Sequence, residues 1–537
     1  MKALHLNLGS GTDYIPGWVN VDIEQQYNPD VLADITQPLP FPDTSASEIK
    51  AFDILEHVIK QDAPAFLREC NRVLLAGGTI HIRVPNMFAI IEAYRDDPDV
   101  MAHFLYGDTS ETGIYGAHKA GYTEKSLKTL LTLCGFENIN ISLEQTNYIV
   151  TAVKSSSIFK EKMTIGIIQQ SPDFGGAEAY MCNLVEEWSK MGHKVHVATN
   201  PGDFEKSIKK TAKTVHTYNS TIDIIGDWKG FVKTCIALPF SYGIYSRILF
   251  DFRKKNVDIV VMSEFSERVT IAPLVWLFGL PLVWIEYGRP KDTFKRMFPW
   301  SKLAFRLVKD IPRRIITPTQ YTQKSLMTDG RVSLACIDII PCGTSIPVHR
   351  LSEPKQSKPF IIGCVSRLTR EKGQEHLIRA VAKLVKERKN IELWLVGKGP
   401  DEKYFKELVD ALGIQKYIHF TGFMKDIDDV YKHFDCVVFP STWALEGFGL
   451  VLIEAMARGV PVVASQVGPV SEVIGDAGLG FEPGNVSQLY CALLRLMEDP
   501  SLGASLAKKG RTRATRLYNL HTISKRMIES FRTALCE

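Results

Sequence analysis

Two glutamates eight positions apart, Glu446 and Glu454, flank a glycine-rich loop in the stretch PSTWALEGFGLVLIEAMARG, residues 440–459. The apolar run Cys436–Phe439 reads as a buried strand that stops at Pro440, an apolar helix begins at Leu450, and residues 460–464 read as another buried strand. Gly447 and Gly449 let the backbone approach a ligand without a Cβ in the way. The helix start offers unpaired N–H groups and the positive end of a dipole to an anion. Glu446 and Glu454 can accept hydrogen bonds from sugar hydroxyls, so the chemistry is that of a sugar carrying phosphate. Alone, two glutamates at this spacing belong to many solvated helices. The ordered succession of strand, glycine loop, helix, glycine stop and strand favours the site.

A second pair of charges has the opposite sign. In SRLTREKGQEHL, Arg367 and Lys372 fall in the loop between a strand and a helix, where both can turn toward an anion at the strand's carboxyl end. A bond from sugar to diphosphate breaks with negative charge left on the phosphate, which needs fixed positive charge nearby. The bland alternative is a solvated basic loop. Gly175 and Gly176, followed by Ala177 and Glu178, form a further glycine loop at a helix start, and Gly397, Lys398 and Gly399 read either as a nucleotide loop or as a plain strand-to-helix turn. The Asp-x-Asp candidates, Asp426 with Asp428 and Asp97 with Asp99, look like helix caps or solvated turns. No metal is expected, at this site or elsewhere in the chain.

The glutamate spacing in this context resembles the signature of retaining glycosyltransferases of family 4, which have the two-domain GT-B fold. The resemblance implies that Arg367 and Lys372 hold the diphosphate of a nucleotide sugar of the UDP or GDP type and act in catalysis with Glu446. Glu446 would contact hydroxyls of the donor sugar and Glu454 the nucleotide ribose, with Gly175, Gly176, Gly447 and Gly449 lining the donor site. It also implies retention by same-face attack, the departing phosphate helping to take the acceptor proton. Where many members carry a His after the fifth strand of the acceptor domain, WIEYGRP places Glu286 and Tyr287. Glu286 is then a contact for acceptor or sugar, or an ordinary strand-end carboxylate.

The elements that must position these residues alternate strand and helix throughout. At 537 residues and 45% apolar content the chain is long enough for roughly three domains of about 150 residues each. The reading is α/β with three Rossmann-like domains: 1–154, 163–348 and 358–537. Polar joints at 155–157 and 352–358 separate them, and a last helix over 518–535 would, by resemblance to GT-B, cross back to the middle domain. In the first domain a helix is expected from Ala63 to Leu75, stopped by Gly77 and Gly78. The apolar window 269–285 is interrupted by Pro273, Gly279 and Pro281, so helix, turn and strand explain it better than a membrane span. Ten scattered cysteines, with no CxxC pair and no His/Cys cluster at zinc spacing, suggest neither a disulfide framework nor a structural metal. The segment MKALHLNLGSG lacks a basic region followed by an apolar core, so no secretory signal and a reducing, cytoplasmic setting are expected.

Charge divides the chain as well. Residues 1–154 hold 11 Lys or Arg against 20 Asp or Glu, a net of about −9, so about +13 lies elsewhere in a chain of total +4. The run LHLNLGSGTDYIPGWVNVDI, with LADI, FDILEHV and RVLLAGGTIHIRVPN, resembles class I methyltransferases that bind S-adenosylmethionine. The resemblance places Gly9 and Gly11 in the turn under the cofactor, Asp22 at its ribose, Asp34 near adenine, and Glu56 and His57 at the family's LEH position; His118 matches a further recurrent position. Only seven residues separate Gly11 from the strand at Val19, fewer than the dozen or so a parallel crossover usually takes, so the first crossover helix must be abbreviated or absent. Asn7 replaces an acidic residue, and Asp13 stands where a third glycine is common. Methyl transfer and a fold retained for binding or assembly both remain open.

From Arg289 to Arg314 nine Lys or Arg and two Asp interleave with Phe294, Met297, Phe298, Trp300, Leu303, Phe305 and Leu307. Such a stretch either lies on an anionic membrane surface or packs its apolar stripe on its own domain. Because family members often act on lipid-linked or envelope acceptors, the expected partners are a nucleotide sugar, a glycan or lipid-linked acceptor and an anionic membrane surface touched at its inner face. Nucleic acid is not among them, because the aromatic residues follow the apolar stripe and no nucleic-acid motif occurs.

Overall fold

The computed structural model describes residues 3–59, 62–106, 117–155, 162–171, 174–219, 222, 228–296, 299–347, 359–387, 390–424 and 426–536. The joint residues 156–157 and 352–358, and Met297 and Phe298 of the basic stretch, lie outside them, as does the side chain of Trp300. The chain forms two compact units, residues 1–161 and 162–535.

The first unit is built on seven strands: β1 Leu4–Leu8, β2 Val19–Asp22, β3 Val31–Leu32, β4 Ala46–Phe52, β5 Leu74–Pro85, β6 Phe136–Glu144 and β7 Asn147–Lys154. Their order is β3-β2-β1-β4-β5-β7-β6, parallel except that β7 runs antiparallel to both neighbours. No helix separates β1 from β2, as the short spacing predicts. A side-chain network takes its place. Asn7 Nδ2 donates to Asn20 Oδ1 and to the Asp13 carbonyl, while Asn20 Oδ1 also accepts from Ile15 N and Asn20 Nδ2 donates to the Ile15 and Trp18 carbonyls. Buried amides thus satisfy the loop's backbone groups where a helix would have used its own.

The helix Ala63–Val73 buries Phe66, Leu67, Cys70 and Val73 on one stripe and has Pro64 in its first turn. It ends earlier than the sequence suggests. Gly77 and Gly78 do not stop it but lie inside β5, where a Cβ on Gly78 would sit 3.0 Å from the carbonyl oxygens of both Ser47 and Leu75. Those glycines permit close backbone approach between β4 and β5.

The second unit has two parallel sheets. One contains β8 Thr164–Ile168, β9 Lys194–Thr199, β10 Thr214–Thr217, β11 Ile259–Met262, β12 Leu282–Ile285, β13 Arg314–Thr317 and β14 Ile337–Ile339, in the order β10-β9-β8-β11-β12-β13-β14. The other contains β15 Phe360–Val365, β16 Ile391–Val396, β17 Ile418–Gly422, β18 Cys436–Phe439, β19 Val462–Ser465 and β20 Gly478–Phe481, in the order β17-β16-β15-β18-β19-β20. Strands such as TIGII, IVVM and CVVF are buried throughout, as expected for parallel sheets covered on both faces. In each sheet strand order reverses beside its first strand, and ligands of such sheets gather at the carboxyl ends there.

The helix Leu520–Cys536 leaves the β15–β20 half and packs on the β8–β14 half. Phe531 meets Trp188 ring to ring at 5.4 Å, Ser530 Oγ donates to Asp338 at 2.6 Å, and Arg526 donates to the Ile339 carbonyl at 2.8 Å. The window 269–285 is the end of helix Phe265–Leu277, a turn and β12. Among the described residues no helix is long and apolar enough to cross a membrane. The basic stretch forms two helices, Pro290–Arg296 and Pro299–Val308. Phe305 is buried against Phe265, Trp284 and Phe294, whereas Leu303 and Leu307 are exposed.

Candidate functional site

The residues singled out in the second unit converge on the ends of β8, β12, β15 and β18. Arg367 and Lys372 follow β15, and the short 3-10 turn Arg370–Lys372 ends at Gly373 with φ +72°. A Cβ on Gly373 would fall 2.0 Å from the Pro440 carbonyl oxygen, so this glycine lets the loop after β15 touch the loop after β18. That contact carries Lys372 to Glu446. The Lys372 ammonium lies 2.8 Å from Glu446 Oε2, which also accepts from Ser441 Oγ at 2.9 Å. Arg370 lies over the Tyr404 ring at 4.0 Å, while Arg367 is exposed.

Gly397 and Gly399 have a structural cause of their own. A Cβ on Gly397 would meet the Ser366 carbonyl at 2.1 Å, and one on Gly399 the Leu368 carbonyl at 2.2 Å. Leu368 N donates to the Lys398 carbonyl, so this loop props the Arg367 loop from behind.

Opposite stands the start of helix Gly176–Lys190. Gly175 N is capped by Glu178 at 2.9 Å, and the Cβ position of Gly176 is 3.6 Å from Leu450. The Tyr287 carbonyl comes so near that a Cβ on Gly447 would lie 2.7 Å from it. Gly176 and Gly447 thus lie where the two halves of the second unit meet. Gly449, at φ +86°, turns the chain into helix Leu450–Ala457. Within that helix Glu454 Oε2 accepts from Tyr431 Oη at 2.8 Å, and burial holds its carboxyl above the usual carboxylate range, with Tyr431 and Arg458 opposing.

Glu286 is placed in a buried ion pair, Oε2 at 2.7 Å from Arg268 Nη2, and its other oxygen accepts from Gly288 N at 3.2 Å. Both oxygens are engaged by the protein. Asp426 caps the helix Ile427–Tyr431 by accepting from Asp428 N and Asp429 N, and Asp97 accepts from Val100 N. Asp428 in turn pairs with Arg458.

One carboxylate escaped the sequence reading. Glu264 sits at the N-cap of helix Phe265–Leu277, just after β11, and burial pushes its carboxyl up to about 7, reinforced by Glu267, Glu178 and Glu286 and opposed by Arg268. A strand-end carboxylate was the available signal. Since the folded protein binds this proton more tightly than the unfolded chain, its contribution to stability falls as pH rises from about 4.5 to about 7 and is flat above. The melting-temperature advantage of Glu264→Gln over wild type should therefore grow between those limits; a constant difference would contradict the assignment.

Gly373→Ala should be costly at any pH. It combines a left-handed backbone with a Cβ driven into a backbone oxygen that cannot rotate away, worth about 2–4 kcal/mol. Denaturant unfolding checks the value, and retention of wild-type stability would refute the contact.

In the first unit the turn after β1 holds Gly9 at φ +60° and Gly11 at φ +45°. A Cβ on Gly9 would lie 2.0 Å from Ile54 Cδ1. Gly11 N donates to Asp22 Oδ2 at 2.8 Å and Glu24 N to Asp22 Oδ1 at 2.9 Å, so Gly9, Gly11 and Asp22 form one group. Asp34 follows β3 and accepts from Thr36 N and Thr36 Oγ1. The Ser10 hydroxyl is buried without a hydrogen-bond partner, an orphaned polar atom at the turn expected to lie under S-adenosylmethionine. His57 lies on the turn after β4, with Nδ1 3.1 Å from the Ala117 carbonyl.

Comparison with known proteins covers the same regions. Residues 345–513 match the family described as Glycosyl transferases group 1, residues 174–346 match Glycosyltransferase Family 4, and residues 7–82 match Methyltransferase domain. A GDP-mannose-dependent monoacylated alpha-(1-6)-phosphatidylinositol monomannoside mannosyltransferase of Corynebacterium glutamicum is 30% identical over 376 residues, 66% of this chain and 94% of that enzyme. An MMP alpha-(1->4)-mannosyltransferase of Mycolicibacterium hassiacum is 29% identical over 256 residues, 46% of this chain, and the chain spans 60% of that relative's length. Among solved structures, HepE of Anabaena in complex with UDP shares the fold, with a TM-score of 0.57 and 22% identity over 68% of this chain and 99% of that one.

Proposed function

The chain belongs to the family 4 glycosyltransferases of the GT-B fold, with a methyltransferase domain in front, and from that premise we propose that it moves a hexose from a nucleoside-diphosphate sugar to a hydroxyl of a glycan, polysaccharide or lipid-linked acceptor, with retention. The observation that carries this reading is the Lys372–Glu446 pair beside exposed Arg367, on the loops that follow β15 and β18. Lys372 and Arg367 stabilise charge on the departing diphosphate, and Glu446 orients the donor sugar through its hydroxyls. The acceptor hydroxyl attacks from the leaving-group face, and a phosphate oxygen takes its proton. Side-chain cations make a metal ion unnecessary at this step.

The donor base is of the UDP or GDP type: the Corynebacterium relative is GDP-mannose-dependent, and HepE was solved with UDP and with UDP-glucose. A lipid-linked acceptor gains support from the outward apolar residues Leu303, Leu307, Trp276 and Leu277 on neighbouring helices of the β8–β14 half, beside basic residues of the 289–314 stretch. A mass-spectrometric screen of UDP, GDP and ADP sugars in excess chelator tests the whole reading. Transfer from a UDP or GDP sugar is expected; turnover that appears only after magnesium is restored would contradict it.

Gly9, Gly11, Asp22 and Asp34 would hold S-adenosylmethionine in the first unit, and the orphaned Ser10 hydroxyl fits a polar ligand there. When bound, that cofactor supplies an electrophilic methyl group. A second reading, a sensing or docking module without turnover, is favoured by the missing helix after Gly11, which removes the usual row of free N–H groups. Calorimetric titration of the chain with S-adenosylmethionine separates binding from pure docking, since a docking module gives no heat of saturation.

A further inference from the structure

We propose that the first unit carries a divalent metal site of its own, formed by Glu56, His57 and His118, with an open side toward a cavity. One ligand atom from each residue lies within 4.8 Å of the others. Glu56 and His57 share the 3-10 turn Leu55–His57 after β4, while His118 arrives from a segment far along the chain. That segment is pinned to the turn, because Lys119 N and Ala120 N both donate to the Glu56 carbonyl, at 2.7 and 3.0 Å.

The side chains are prepared as metal ligands are. His57 Nδ1 is 3.1 Å from the Ala117 carbonyl, and since a carbonyl only accepts, Nδ1 carries the proton there. His118 has a hydrogen bond to the Leu105 backbone as well. Orientation of a ligating imidazole by a backbone carbonyl is the usual outer arrangement around a metal. Between them Glu56 is 2% exposed, and its Oε2 is buried with no hydrogen-bond partner. A carboxyl oxygen so placed calls for a cation or a proton to meet it. Nearby Asp53 does not compete, being hydrogen-bonded to Arg83 Nε at 2.9 Å.

Two imidazoles and a carboxylate suit first-row ions such as Zn²⁺, Mn²⁺ or Co²⁺ better than Mg²⁺ or Ca²⁺, which prefer all-oxygen sets. Three protein ligands leave at least one position free, the pattern of sites that bind a further oxygen ligand rather than closed structural ones. That position faces a cavity of about 210 Å³ lined by Glu56, His118, Pro85, Met87, Phe104 and Tyr106. It also adjoins the Gly9 turn, because Ile54, two residues before Glu56, occupies the space that a Cβ on Gly9 would need. Bonds of about 2.0–2.2 Å would draw the three ligand atoms closer together than they stand, a movement of side-chain scale.

The test uses the full untagged chain, stripped with chelator and titrated with Co²⁺, with uptake followed by visible absorption and by elemental analysis. A single equivalent with a ligand-field spectrum is expected, and His118→Ala should weaken it by at least about 100-fold, as should Glu56→Gln. Should the Glu56 variant fail to fold, the partly exposed His118 gives the same readout. No saturable uptake by wild type, or an unchanged affinity and spectrum in His118→Ala, would overturn the proposal. Sugar transfer in excess chelator is expected to persist whichever result is obtained, so this site and the sugar site fail separately.

Discussion

Replacement of Arg367 and Lys372 together by alanine is expected to lower kcat/KM for sugar transfer by about 10³- to 10⁵-fold, or roughly 4–7 kcal/mol of transition-state stabilisation. The estimate follows from one donor to developing negative charge being worth about 10²–10³, with less than full additivity when two act on one group. The single variants should differ in their side effects. Arg367 is exposed, so Arg367→Ala should leave the melting temperature unchanged while activity falls. Lys372→Ala removes the counter-ion of Glu446, whose side chain is 9% exposed, and should cost stability as well as rate. Lys372→Arg keeps the charge and separates the two effects. Affinity for the nucleoside diphosphate, measured by calorimetry, should fall in step with turnover in the double variant. Activity within tenfold of wild type would falsify the cationic cradle.

What the sequence could disclose follows from where its information is local. The run Cys436–Phe439 and its glycine loop were legible because strand, turn and helix each carry their own signal within a few residues. β10, β14 and β20 escaped: TVHT is half polar, IDI has three residues, and GLGF contains two glycines, so each depends on its neighbours for strand character. The 27-residue helix Trp228–Lys254 carries Pro239, which a local reading takes as a break. Gly77 and Gly78 misled in the opposite sense, because a glycine that permits close approach looks the same in sequence as one that ends a helix. Site residues divide likewise. Glu446 and Lys372 were readable one at a time, but not their 2.8 Å contact, which depends on Gly373 meeting Pro440. Glu264 and the meeting of His118 with Glu56 arise only when distant segments fold together.

Glu446→Gln should cut kcat/KM by about 10²- to 10³-fold while leaving affinity for the nucleoside diphosphate intact or improved. The asymmetry comes from the two oxygens. Oε2 is taken by Lys372 at 2.8 Å and Ser441 at 2.9 Å, which leaves Oε1 to accept from a sugar hydroxyl. An amide can still accept from Ser441, so the loop after β18 keeps its anchor and the fold should hold. It cannot offer a full negative charge, so it forfeits the part of the hydroxyl contact that strengthens as the sugar becomes cationic in the transition state. Lys372, no longer shared, turns its whole charge to the diphosphate, hence the intact or tighter product binding. In a double-mutant cycle with Lys372→Met the two losses should be strongly non-additive, since each side chain orients the other. Parallel loss of diphosphate affinity in Glu446→Gln would mean that this carboxylate serves the nucleotide and not the sugar.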